Sequence, residues 1–146
     1  MMVKVICVSG SVGVGKSTYS KKLSKKLKYS YVDLNSFIEE NKLKDNYDKK
    51  MKTWDVDIKK LNKKLIEFIK NSGDDLVIDG HLSHYLPKKY VSKVIIVKCG
   101  LKELRRRLEK RKYKEDKIRE NLDCEIFDVC FEEAMELKHK VEVEDN

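Results

Sequence analysis

Proline is nearly absent from this chain of 146 residues: there is one, Pro87, and glycine is held to six. That excludes a collagen-like or a Pro/Gly-rich low-complexity chain. The four cysteines, Cys7, Cys99, Cys124 and Cys130, form no C-x-x-C pair, so a disulfide scaffold is excluded too. Three of them fall in apolar stretches and read as reduced, buried thiols of a cytoplasmic protein. Long hydrophobic runs are missing. Val94-Ile95-Ile96-Val97 is as long as the aliphatic stretches become, against the roughly 20 apolar residues that span a bilayer. Val5-Ile6-Cys7-Val8 is likewise too short for a secretory core, and no membrane partner is expected. Aromatic residues make up 8% and form no evident base-stacking run, which ranks a non-enzymatic RNA-binding module last among the functional readings.

Charge is what the chain has in excess. Charged residues are 40% of it, against about 25% in an average globular domain. With 33 Lys and Arg against 25 Asp and Glu the net charge is +8. Lysine is spread through helix-like stretches such as Lys21-Lys22-Leu23-Ser24-Lys25-Lys26-Leu27-Lys28, the pattern of a solvated surface rather than of a nucleic-acid stripe. Arginine is not spread. Arg105, Arg106, Arg107, Arg111 and Arg119 are the whole set of five and lie within fifteen consecutive residues.

The length suits a single domain, 1–146, able to bury a real core. Short β-branched runs predict strands at Val3 to Val8, Tyr31 to Leu34, Leu76 to Ile78, Val91 to Val97 and Val141 to Val143. Several lack polar alternation, as strands covered on both faces do. Between them helical spacing appears: Ser17 to Lys28; Ile58 to Ile69, ending at Asn71-Ser72-Gly73; Leu101 to Leu108; and Ile118 to Met135, read as one helix of about six turns. Strands alternating with helices predict an α/β fold with a parallel sheet. The stretch from Asn35 to Trp54 is polar and weakly patterned, which suggests a solvated excursion or a substrate flap.

Gly10-Ser11-Val12-Gly13-Val14-Gly15-Lys16-Ser17 matches G-x-x-x-x-G-K-[ST], with an apolar strand before it and an amphipathic helix after it. Glycines allow the backbone to curl so that Gly10, Gly13, Val14 and Gly15 turn their amides toward phosphate oxygens, and the helix end adds partial positive charge. Lys16 reaches the β- and γ-phosphates, Ser17 ligates Mg²⁺, and Thr18 meets the α-phosphate. Leu76-Val77-Ile78-Asp79 is a strand ending in a carboxylate, and ligands of parallel sheets sit at the carboxyl ends of strands. Asp79 is therefore a second candidate for Mg²⁺ or for orienting a nucleophile, against the plain reading of an Asp-Gly turn. His81 has two open readings, a phosphate or water contact and a structural role; His84 reads as structural. A helix buried along Leu101, Leu104 and Leu108 puts Arg107 and Arg111 on one edge, one turn apart, where both can converge on a phosphate. A charged helix end is the competing explanation. The run 110–120 then reads as a lid.

Taken together, the phosphate loop, Asp79-Gly80-His81, Arg107-Leu108-Glu109-Lys110-Arg111-Lys112-Tyr113 and Glu120-Asn121-Leu122-Asp123-Cys124-Glu125-Ile126-Phe127 resemble the adenylate kinase isoenzyme 6 family, its archaeal members in particular. The resemblance implies a P-loop nucleoside monophosphate kinase fold with five parallel strands in the order 2-3-1-4-5. It implies transfer of a phosphoryl group from ATP to AMP, other monophosphates being accepted, with ATPase activity and Mg²⁺. It also implies a part in late maturation of the small ribosomal subunit, through transient binding of a ribosomal protein and rRNA, by a monomer or weak oligomer. In this reading Lys16, Asp79, His81, Arg107 and Arg111 are catalytic, 33–56 is the monophosphate flap and 110–120 the lid. An alternative keeps the ATPase as a switch on a ribosomal assembly, with little monophosphate kinase activity. Two departures bear on the choice. Glu39 stands where relatives carry a flap arginine, and relatives continue past the last strand into a terminal helix, whose absence would leave an apolar patch for self-association.

Overall fold

The computed structural model describes residues 2–49 and 53–146. The main sheet is parallel and has five strands: β1 (Val5–Ser9), β2 (Ser30–Asp33), β5 (Leu76–Asp79), β6 (Lys93–Lys98) and β7 (Val141–Asp145). Their spatial order is β2-β5-β1-β6-β7. Counted within this sheet alone, that is the expected 2-3-1-4-5. In register, Val8 faces Asp79 on one side and Ile95 on the other, and Asp33 faces Asp79. Three strand ends thereby open onto one crevice.

The sheet's alternation divides the core in two. On one face Val5, Cys7, Ile78 and Ile96 meet Leu61, Leu65 and Ile69 of α3 (Ile58–Lys70). On the other, Ile6, Val8, Val77 and Val97 meet Leu104 and Leu108 of α4 (Leu101–Lys110), and Leu23 of α1 (Lys16–Leu27) packs beside them. Because both faces are covered, the strands read as nearly unbroken apolar runs. Asp57 caps α3, accepting from the amides of Lys59 and Lys60. No helix of the described residues is long and apolar enough to cross a membrane.

Two expectations need correction. The single helix through Met135 is two, α5 (Glu115–Ile126) and α6 (Val129–Glu136), separated by Asp128 at a left-handed φ of 50°. Ile118 and Leu122 serve one face of the sheet while Cys130, Phe131 and Ala134 serve the other, which one straight helix cannot do. The stretch after Asn35 also holds more order than its polarity suggested. Behind α2 (Leu34–Glu40) comes an antiparallel hairpin, β3 (Lys44–Asp48) with β4 (Thr53–Val56). Leu43 and Val56 anchor it on the α3 face, while the Tyr47 and Trp54 rings, 5.2 Å apart, stay exposed. Of the expected flap, residues 50–52 lie outside the described residues.

Candidate active site

The loop from Gly10 to Gly15 leaves the end of β1 and turns directly into α1. At Gly10 φ is +142° and a Cβ would stand 2.5 Å from the Val97 carbonyl oxygen, so no other residue fits. Gly15 caps α1 without any side-chain hydrogen bond, leaving the helix's first amides available to a ligand. At the neighbouring strand end, a Cβ on Gly80 would come within 2.5 Å of Leu34, so glycine there lets α2 close against β5.

A cavity of about 250 Å³ lies over this loop. Its walls bring together Lys16, Ser17, Thr18, Asp79, His81 and Arg111. Gly13 and Gly15 line it as well, while Gly10 and Val14 are buried and lie outside its walls. The Lys16 ammonium donates to the Ser11 carbonyl, 2.7 Å away, inside its own loop. Loss of solvation pulls its pKa down to about 8; Cys130, Asp79 and Glu125 oppose the drop and Arg111 adds to it. The group is still mostly a cation at neutral pH. Asp79 is 3% exposed and accepts a 2.6 Å hydrogen bond from the Tyr31 hydroxyl. Burial first, then the Asp79 carboxylate, pushes the Tyr31 phenol well above its ordinary value, so it remains a donor.

His81 is solvent-exposed and lines the cavity, and loss of solvation there, with the charge of Lys16 beside it, lowers its pKa to about 4. It faces the cavity as a neutral imidazole. His84 is structural, as expected, and fully buried: its ring bonds the Ser9 hydroxyl at 2.7 Å and the Glu133 carboxylate at 3.0 Å.

The arginines separate by partner. Arg106 is tied to Glu103 at the surface and Arg105 to Glu115. Arg111 closes the end of α4 with its backbone amide, and its guanidinium lines the cavity with no hydrogen bond or ion pair among the described residues. Arg107 does not join it. Its guanidinium spans Glu103 at 3.1 Å and the Gly13 carbonyl at 3.3 Å, bracing the loop from behind. Two guanidinium groups converging on one anion was the expectation; here the carboxylate of Glu103, one turn earlier on α4, and the Gly13 carbonyl engage Arg107 instead, and it is not among the cavity's walls.

A second cavity, of about 440 Å³, adjoins the first through the shared residues Asn35 and His81. Its walls come from α2 and the hairpin and include Glu39, Lys44, Trp54 and Asp55. Glu39 and Lys44 form an ion pair at 3.8 Å, and the Lys44 ammonium also lies 5.7 Å from the Trp54 ring.

Among the described residues no group of three or more His, Cys, Asp and Glu side chains could cage a metal. Among the oxygen donors that line the first cavity, which include Thr18, Asp33 and Asn35, are the Ser17 hydroxyl and the Asp79 carboxylate. One or two such oxygens suit a small hard cation that keeps its waters and shares phosphate oxygens, which is how Mg²⁺ is held. Sequence reasoning had Asp33 and Asn35 only as the start of the flap and did not single out Tyr31, all of which the β2–α2 junction brings to the crevice, nor the contacts of Glu125. The Asp33-Leu34-Asn35 capping pattern was the signal available for that junction: the Asp33 carboxylate accepts from the Asn35 amide at 3.0 Å.

A family model described as an AAA domain matches residues 6–128. A protein of Methanocaldococcus jannaschii named "Putative adenylate kinase" is 36% identical over 129 residues, 88% of this chain and 71% of its own length. An "Adenylate kinase isoenzyme 6 homolog" of Caenorhabditis elegans is 32% identical over 131 residues, 90% of this chain and 72% of its own. In fold the chain is similar to shikimate kinase from Acinetobacter baumannii, with a TM-score of 0.64 at 13% identity over 96% of this chain and 83% of that one. By this span and identity, and with the phosphate loop at the head of a parallel kinase sheet, the chain belongs to the adenylate kinase isoenzyme 6 family of nucleotide kinases.

Proposed function

We propose that this protein is a nucleoside monophosphate kinase that transfers the γ-phosphoryl group of ATP to AMP. The observation that carries this reading is the pairing of two cavities through Asn35 and His81, one over the phosphate loop and one under the flap. A donor and an acceptor can meet there across a short gap. Catalysis of phosphoryl transfer is mostly positioning and charge stabilisation, and each residue has a part in that. The amides of 10–16 and the first turn of α1 hold the β- and γ-phosphates. Lys16 leaves the Ser11 carbonyl for a phosphate oxygen, and Thr18 takes the α-phosphate. Arg111 covers the charge that spreads over the transferring group, while Arg107 keeps the loop in shape. An acceptor phosphate oxygen attacks the γ-phosphorus, the bond to the β-phosphate bridging oxygen breaks, and ADP forms on both sides. The neutral His81 at the junction donates a hydrogen bond without adding charge. Ser17 and Asp79 would hold Mg²⁺, which supplies charge neutralisation on the β- and γ-oxygens when bound. The hairpin and the segment 110–120 serve as flap and lid, excluding water from the transfer.

A second reading is favoured by one observation. Glu39 and Asp55 face the acceptor cavity against the single cation Lys44, so that cavity is acidic among its described walls. ATP hydrolysis acting as a switch on a small-subunit ribosomal protein or rRNA, in the cytoplasm, needs no acceptor phosphate there. Coupled assays with ATP alone and with ATP plus each monophosphate separate the two. We expect ADP formation to rise several-fold with AMP; ADP formation indifferent to every monophosphate leaves the switch, and none under any condition removes both.

A further inference from the structure

Glu125 is a buried carboxylate, 7% exposed, in a stretch that the nucleotide chemistry above does not use. It sits on the last turn of α5, after the lid, and both of its oxygens are engaged. Oε1 accepts from the Ser11 hydroxyl at 3.2 Å, inside the phosphate loop. Oε2 accepts from the Cys99 amide at 2.8 Å, at the junction of β6 and α4. Lys98 lies 3.5 Å away and is paired with Asp128 as well. Ser11 is itself buried and works at both ends: its carbonyl holds the Lys16 ammonium, while its hydroxyl donates to Glu125. A continuous chain thus runs Lys16–Ser11–Glu125–Cys99, from the cation of the loop to the root of the helix that carries Arg111.

A buried carboxylate is costly unless its oxygens are satisfied, and here the satisfying groups come from two segments, the phosphate loop and the end of β6. The two residues just beyond it, Ile126 and Phe127, are exposed. We propose that Glu125 is a positioning residue for ATP: through Ser11 it fixes the phosphate loop in the shape that receives a polyphosphate, and through Cys99 it holds the base of α4 in register with that loop. The proposal rests on ATP binding at this loop. It assigns Glu125 no contact with the nucleotide and no part in the acceptor cavity, from whose described walls it is absent.

The test is titration of the purified protein with ATP and Mg²⁺ in the parent, Glu125→Ala, Glu125→Gln, Ser11→Ala and the Ser11→Ala/Glu125→Ala double variant, with the KM for AMP measured alongside. Loss of a buried hydrogen bond to a charged group corresponds to about a tenfold change, so Glu125→Ala should bind ATP about tenfold more weakly with the KM for AMP within about twofold of the parent. Glutamine should recover most of the loss, because its amide oxygen can accept from Cys99 while its NH₂ donates to the Ser11 hydroxyl. Ser11→Ala should reproduce the loss, and the double variant should be no worse than Glu125→Ala. Parental ATP affinity in the single variants, losses that multiply in the double variant, or a KM for AMP rising in step would overturn the proposal. Should Glu125→Ala fail to fold, parental affinity in Ser11→Ala is sufficient to overturn it. A parent that binds no ATP would instead remove the nucleotide reading on which the proposal rests.

Discussion

At the scale of single residues, Glu39 has the clearest consequence for activity. It places a carboxylate on the wall of the acceptor cavity and engages Lys44, the cation that an acceptor phosphate would need. An exposed charge pair of this kind is worth up to about 1 kcal/mol once solvent screening is counted. Glu39→Gln should therefore lower the KM for AMP by about threefold with little change in the KM for ATP, read in the same coupled assay. An unchanged or raised KM for AMP would show that no monophosphate approaches this wall. Lys16, Ser17, Asp79 and Arg111 were legible as neighbours from their spacing because a phosphate loop, a strand end and a helix face have fixed geometry. Tyr31 and Glu125 were not. Their partners, Asp79 and Ser11, lie far away in sequence, and only the strand order and the α5–α6 corner bring them together. Arg107 was placed on the correct helix edge but given the wrong partner, since helical spacing alone does not reveal competition from Glu103.

At the scale of elements, the buried strands and α1, α3 and α4 followed from their apolar spacing, to within one or two residues at the ends. The hairpin escaped notice because β3 reads Lys-Asp-Asn-Tyr-Asp, with neither alternation nor β-branching to mark it. Its order comes from pairing with β4 and from Leu43 and Val56, which reach the core at its base. The α5–α6 break escaped for a different reason. The apolar spacing is continuous through Phe127, so period alone joins the two helices. What separates them is that their apolar residues belong to opposite faces of the sheet. The same turn brings Glu125 to the phosphate loop and Cys130 to the sheet's other side, so the corner contributes both to the core and to the site.

At the scale of the whole molecule, two histidines tie stability to acid pH. Partial loss of solvation at the cavity, with the charge of Lys16, lowers the exposed His81 to about 4, and burial lowers His84 despite the opposing pull of Glu133. An unfolded chain would protonate both near 6.5, so below that pH it binds protons that the folded state refuses. Their contribution to stability is complete above about pH 6.5 and is lost as the pH falls toward 4. Tm should accordingly drop between pH 6.5 and 5, a window above the range in which the ion-paired carboxylates Glu103 and Glu115 take up protons. His84→Gln should flatten that slope; a Tm constant from pH 7.5 to 5 in the parent would contradict it.

Nucleotide binding at the loop between β1 and α1 underlies every functional statement above. Its most direct measurement is a calorimetric titration of ATP with Mg²⁺ into the parent and into Lys16→Ala, with circular dichroism confirming that both are folded. The expected result is one site in the parent and binding about 10- to 100-fold weaker in the variant, the usual effect of removing a charge-assisted hydrogen bond. Equal affinity in two folded proteins, or no binding to the parent, would contradict it.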